Sequence, residues 1–430
     1  MNDRIESVVE EIQNKGSEIN AEELVNESEK IIKKDYSLED ALSSMASNIS
    51  LLTEDFLHAR NKNNTLLISG ISSCIYLPDF SNNGEYKLKI IGGSRDRNID
   101  LSINEDTLFD VASITKVYTL LLLFKLEELG LINLDSKIVD VNPDFPNLED
   151  FTFNDLIRLH GEINTDGRID DATSYEEAYN RLKSSFLKSD SRKENKYTDI
   201  GAIIMSKTVE KIISEKLGKQ MTFDEIMDEF LLRPLGLKNT MFNPKTGNTT
   251  GSGNIDGIVH DPKARVLGGA VGSAGIFTTS DDLAQLARSI YSLTSINPKY
   301  TSKLGEITFP NSNQSNKGNL GIYVKHPLGL QKTYTPSEYS TGSFSHQGWT
   351  GSVAIFDPNN YIHNNILVNA IYKDEDKANV KADKPIGFGD AFDEYLAQMT
   401  KNIMIMLVVK TYYNKYCKET KSIDEVKKVM

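Results

Sequence analysis

Ser113-Ile114-Thr115-Lys116 stands where a polar stretch, Glu105-Asp106-Thr107-Leu108-Phe109-Asp110-Val111-Ala112, gives way to the apolar run Val117 to Leu129. That run holds neither Gly nor Pro until Gly130, so it reads as a helix stopped by a C-terminal glycine. Ser113 then lies at the helix N-terminus, where unpaired backbone N–H groups and the helix dipole favour negative charge. Lys116 lies three residues on, on the same face. A serine beside an amine, at a place that stabilises an oxyanion, is suited to act as a nucleophile. The competing reading is a helix N-cap serine followed by a surface lysine.

Two further motifs decide between these. Tyr197-Thr198-Asp199 precedes another apolar helical stretch, Ile200 to Ile213. His346-Gln347-Gly348-Trp349-Thr350-Gly351 leads into a strand-like segment, Ser352 to Phe356. Three motifs in a fixed order are far more specific than one. Ser-x-x-Lys, Tyr-x-Asp and His-x-Gly together resemble the serine β-lactamase and penicillin-binding-protein superfamily. The likeness is closest to its class C β-lactamase, DD-peptidase and esterase branch. Thr107 to Ser113, Leu231-Leu232-Arg233-Pro234-Leu235-Gly236-Leu237, Val259-His260-Asp261 and Gly272 to Leu283 also look like that branch. The resemblance covers roughly residues 51–415.

The resemblance implies an α+β fold: an αβα sandwich, in which helices flank an antiparallel sheet and an all-helical lobe is inserted. The active site would lie in the cleft between lobes. It also implies a serine hydrolase that works through an acyl-enzyme on Ser113. Lys116 and Tyr197 are both candidate bases, and the sequence leaves the choice open. The oxyanion hole would join the backbone N–H of Ser113 to that of Trp349, the residue after the Lys/His-x-Gly motif. Gly348 would admit the substrate close to the strand. No metal and no cofactor is implied.

Two positions depart from the commoner pattern. His346 replaces the lysine of many β-lactamases, and near pH 7 an unperturbed histidine is only partly charged. Asp199 replaces an asparagine; it lacks the amide donor and repels a substrate carboxylate. It would bind a substrate amine, hold Lys116 charged, or simply cap the following helix. Both changes favour a peptidase, amidase or esterase of small acyl or D-amino-acid compounds over a β-lactamase. A β-lactamase or an acyltransferase of the same fold, or a low-activity binding or scaffold protein, are the alternatives. Leu159-His160-Gly161-Glu162 also departs from the branch, and His160 reads as structural. The next residues resemble part of a calcium loop, but Thr173 stands where a bidentate Glu is expected, so calcium is not predicted.

Bulk properties set limits. The 430 residues are ample for a large core, with 39% hydrophobic and 25% charged side chains. A formal net charge of −13 disfavours nucleic acid and anionic membranes as partners, leaving a small-molecule or peptide substrate. Cys74 and Cys417 read as free thiols. The start Met1-Asn2-Asp3-Arg4 lacks a secretory pattern, and Ile403 to Val409 is too short to span a bilayer, so a cytoplasmic location is expected.

Residues 1–50 read as an N-terminal helical extension. Ile5, Val8, Val9 and Ile12 recur at helical spacing, and further helices are predicted after Asn20 and Ser37. Residues 1–40 hold 12 acidic and 5 basic side chains, so self-association or a protein partner is considered there. The catalytic domain would span 51–415, with its helical lobe within about 114–290, followed by a tail over 416–430. Strands are predicted over Leu66 to Leu77, Tyr86 to Ile91, Val353 to Phe356 and Ile366 to Ala370, an exposed loop over Gly247 to Gly257, and a closing helix over 389–415.

Overall fold

The computed structural model describes residues 1–34, 37–78, 85–96, 100–188, 196–250, 257–292, 303–304, 323–324, 335–371 and 384–417. The expected turn Ser81-Asn82-Asn83-Gly84 and the tail beyond Cys417 lie outside these residues. Eleven strands are found among them: β1 (Gly70–Pro78), β2 (Glu85–Gly93), β3 (Phe109–Asp110), β4 (Ile163–Asn164), β5 (Phe186–Leu187), β6 (Thr240–Phe242), β7 (Ile276–Thr278), β8 (Tyr323–Val324), β9 (Phe344–Gln347), β10 (Val353–Asp357) and β11 (Ile362–Val368). An antiparallel six-stranded sheet runs in the order β2-β1-β11-β10-β9-β8. The first strand starts at Gly70 rather than Leu66, and β11 starts at Ile362, right after the Asp357 to Tyr361 turn.

Alternation along β1 sorts its side chains between two layers. Ile71, Ile75 and Leu77 join one core with Val353, Ile355 and Ile366. The same core takes the apolar faces of α1 (Asn2–Gln13), α2 (Ala21–Lys34), α3 (Leu38–Leu57) and the long helix Phe388–Tyr416. Ser37 caps α3 through the Asp40 N–H, and Asn20 accepts the Glu23 N–H at the start of α2. Residue 50 therefore sits inside a helix that shares the sheet's core. The acidic side chains of these helices face outward.

On the opposite face Ser72 and Cys74 point away, and helix Ser280–Tyr291 covers the sheet. Ser72 Oγ meets Ser280 Oγ at 2.7 Å, and Asn365 Nδ2 donates to Ser280 O at 2.9 Å. Beyond that helix lies the second core, which includes Ala354, Phe356 and Leu367 from the sheet. Its centre is α4 (Thr115–Glu128), in which Val117 to Phe124 are all buried. A helix apolar on every side is a core helix; each buried leucine there contributes about 1.5–3 kcal/mol. Gly130 ends it with φ +70°, the left-handed stop expected. The inserted lobe, with helices Phe153–Ile157, Tyr175–Lys183 and Ile200–Leu217, is helical apart from the ladder β4–β5. A small sheet, β3-β7-β6, joins the lobe to the nucleophile segment. The helix-flanked antiparallel sheet and inserted lobe are the architecture expected.

One loop differs. Thr249 and Thr250 are buried, not exposed: Thr249 bridges Leu108, and Thr250 Oγ1 accepts the Asp110 N–H at 3.3 Å. Residues 251–256 of that expected loop fall outside the described set. Glu162, at the start of the calcium-like stretch, is engaged by Lys188 and Lys196. His160 Nδ1 lies 3.0 Å from Asp155 Oδ1, a local structural contact.

Candidate active site

Ser113 sits in a 3-10 turn, Ala112–Ile114, that runs straight into α4. The residue before it, Ala112, has φ +44°, a left-handed backbone that a Cβ disfavours. Its N–H donates to Asp110 Oδ1 at 2.8 Å, and Asp110 Oδ2 accepts the His260 N–H at 2.6 Å. One buried carboxyl thus holds the strained turn and anchors the 260s loop. Burial pushes Asp110 up to about 6, against those two N–H bonds. Thr350 Oγ1 donates to the Asp110 carbonyl at 2.8 Å, which ties the His346 motif to the same turn.

Lys116, one helical turn on, is fully buried. Its Nζ donates to Ser113 Oγ at 2.9 Å, to Asp199 Oδ1 at 2.9 Å and to Ser273 O at 3.2 Å. Thr119 Oγ1 holds Gly272 O at 2.9 Å and so fixes the carbonyl beside it. A side chain at Gly272 would meet Ala202 O at 2.3 Å; the glycine lets helix Ile200–Leu217 press against this segment. Burial works to lower the Lys116 pKa, but the Asp199 charge outweighs it and the amine is held above its ordinary value.

Tyr197 reaches in from the segment before helix Ile200–Leu217. Its Oη lies 3.1 Å from Ser113 Oγ, and its ring centroid lies 4.9 Å from Lys116 Nζ. Asp199 is the N-cap residue of that helix but makes no side-chain cap bond; both its oxygens are taken by lysines. Oδ1 binds Lys116 and Oδ2 lies 3.0 Å from Lys263 Nζ. Burial would raise its carboxyl, and the two ammonium groups instead hold it well below the usual range.

These groups share a cavity of about 390 Å³, lined by Ala112, Ser113, Tyr197, Asp199, His260, Asp261, Pro262, Lys263, Ala274, His346, Gln347, Gly348, Trp349 and Lys384. His346 is buried in its wall, with Nδ1 3.0 Å from Gln347 O. A carbonyl only accepts, so Nδ1 carries the hydrogen. Trp349 is half exposed at the rim, with Lys384 Nζ 5.0 Å from its ring centroid. Gly348 lines the cavity and also packs tightly: a Cβ there would meet Val111 O at 2.5 Å. Six of the seven residues singled out from the sequence line this cavity; the seventh, Lys116, is buried and reaches it through its bonds to Ser113 Oγ and Asp199 Oδ1.

Lys263 and Lys384 were not anticipated. Lys263 had a usable signal: an acid at 199 beside a buried lysine leaves a second oxygen that needs a donor, and Val259-His260-Asp261 had already been marked. Among the described residues no group of three or more His, Cys, Asp or Glu could hold a metal ion, and no helix is long and apolar enough to cross a membrane.

Comparison with known proteins bears on the family and the fold. A putative D-alanyl-D-alanine carboxypeptidase of Escherichia coli (strain K12) is 25% identical over 308 residues, covering 60% of this chain and 67% of its own. The structure of a penicillin binding protein from Bacillus halodurans superposes with a TM-score of 0.59 at 16% identity, covering 81% of this chain and 98% of that one. The D-amino acid amidase from Ochrobactrum anthropi SV3 gives a TM-score of 0.57 at 18% identity, covering 83% of this chain and 98% of that one. The family model described as Beta-lactamase matches residues 80–386, most of the chain. With that match and the shared fold, the chain belongs to the Beta-lactamase family, whose members are serine hydrolases: peptidases, amidases and esterases.

Proposed function

We propose that this protein is a peptidase, amidase or esterase of small acyl or D-amino-acid compounds that forms an acyl-enzyme on Ser113. The observation that carries this is the convergence of Lys116 Nζ and Tyr197 Oη on Ser113 Oγ, at 2.9 and 3.1 Å, with Ser113 and Tyr197 lining one cavity. Lys116, held charged by Asp199, has no lone pair to take a proton. In this reading the base is Tyr197 in its phenolate form, beside the Lys116 ammonium: the phenolate oxygen takes the Ser113 proton as Oγ attacks the acyl carbon, then passes that proton to the leaving group and is a phenolate again. Lys116 keeps Oγ aimed and offsets negative charge as it develops. The main-chain N–H groups of Ser113 and Trp349 would receive the oxyanion. Water then attacks the acyl-enzyme with Tyr197 again as base, and Ser113 is regenerated.

The substrate ranking rests on charge. His346 replaces a permanent cation, and Asp199 is already saturated by two lysines, so neither gives a strong dedicated site for a β-lactam carboxylate. D-aminoacyl amides and small p-nitrophenyl esters are expected to show kcat/KM at least about tenfold above nitrocefin, a difference of about 1.4 kcal/mol in transition-state binding. Steady-state rates across the three classes check this, and nitrocefin turning over fastest would overturn the ranking. The amidase and carboxypeptidase among the similar proteins support the D-amino side of it.

A further inference from the structure

We propose that Lys263 is a positioning residue for this chemistry, because it grips the second oxygen of Asp199 and so fixes the carboxylate whose first oxygen orients Lys116 under Ser113. This rests on the serine-hydrolase reading of the same site. Four charges alternate in a chain: Lys116 to Asp199 at 2.9 Å, Asp199 to Lys263 at 3.0 Å, and Lys263 to Asp261 at 3.3 Å. The chain is neutral as a whole, which makes its burial tolerable. Lys263 is itself mostly buried, with 21% of its side chain exposed.

The support under Lys263 is rigid. It lies on the short helix Pro262–Val266, whose N-cap Asp261 accepts the Ala264 N–H. Arg265 donates to the carbonyls of Val259 and His260. The His260 N–H ends on Asp110, the carboxyl that also holds the turn before Ser113. Lys263 is thus referenced to the nucleophile through the backbone, not through solvent.

An asparagine at 199 would need no counter-charge. An aspartate with one free oxygen would rotate toward the cleft, loosen Lys116 and present a bare negative charge to the substrate. Lys263 prevents both and takes Asp199 out of direct substrate recognition. Lys263 also lines the cavity, but its ion pairs run to Asp199 and Asp261, so its hold on Lys116 passes through Asp199.

The test is a kinetic double-mutant cycle on the full chain with the best ester or amide from the panel above. Lys263→Met is expected to lower kcat about 10- to 100-fold, the cost of a slightly misplaced catalytic group, with KM changing less than about threefold. Lys263→Arg should recover most of the loss. In an Asp199→Asn background, the same Lys263→Met change should cost less than about threefold, because no second charge remains to be held. Equal losses in both backgrounds, or parental kcat in Lys263→Met, would overturn the proposal. A loss in which Lys263→Arg is no better than Lys263→Met would do so too. If Ser113→Ala keeps its activity, the hydrolase reading fails instead, so the two failures are told apart.

Discussion

Ser113→Ala is expected to lower kcat/KM by at least about 10⁴-fold, because the covalent route disappears and only binding and the oxyanion site remain. A fluorophosphonate or penicillin probe should label Ser113 in the parent and leave the alanine variant unlabelled, read by intact mass and peptide mapping. Unfolding free energy should change by no more than about 0.5 kcal/mol, since the hydroxyl borders an open cavity. Lys116 keeps Asp199 and Ser273 O as acceptors in that variant. A normally labelled or normally active alanine variant would remove Ser113 from the mechanism.

Lys116→Met should also be severe, lowering kcat by about 10³-fold or more, and it should destabilise the fold as well. Methionine fills much of the space but leaves Asp199 with one cation instead of two. Losing a charged partner in a buried site costs about 1–3 kcal/mol, which thermal unfolding of parent and variant would show. The pH dependence has a definite sign. Asp199 is held below its ordinary value of 3.8 and Lys116 above its ordinary 10.5. The pair's stabilisation is therefore fully present between those two pH values. It is lost below 3.8 as pH falls through the folded Asp199 pKa, and above 10.5 as pH rises through the folded Lys116 pKa. A variant with parental activity, or with its stability difference growing below pH 3.8, would contradict this assignment.

The grouping of the candidate site was legible because three ordered motifs name residue types that acyl transfer would need. Ser113, Lys116, Tyr197 and His346 each stand at the border of an apolar run, where a polar side chain can be held by a rigid element. The helices were legible for a related reason: Ile5, Val8, Val9 and Ile12 keep one period, and all four are buried. The small sheet β3-β7-β6 was not, since strands of two or three residues show no alternation. Lys263 was missed because the approach of its short helix, Pro262–Val266, to residue 199 depends on tertiary packing between segments over 60 residues apart. Gly348 was read for substrate access; it lines the cavity, and the close Val111 carbonyl is a second, packing constraint that only the tertiary structure reveals.

The central pairing of the sheet has a consequence for how the chain is made. Ile71 lies opposite Val368, and Tyr76 opposite His363, so β1 finds its inner neighbour only after about 300 further residues have been synthesised. At ribosomal speeds of about 5–20 residues per second, that wait lasts about 15–60 s. Throughout it, β1 and β2 form a two-stranded ribbon with an unsatisfied hydrogen-bonding edge, and the apolar faces of the first three helices have no complete sheet to cover. The nascent chain is thus exposed to association with its own copies just when its count of native contacts is lowest. Chains truncated before residue 362 should collect in the insoluble fraction, and cooler, slower expression or added holdase chaperone should raise the soluble yield of the full chain.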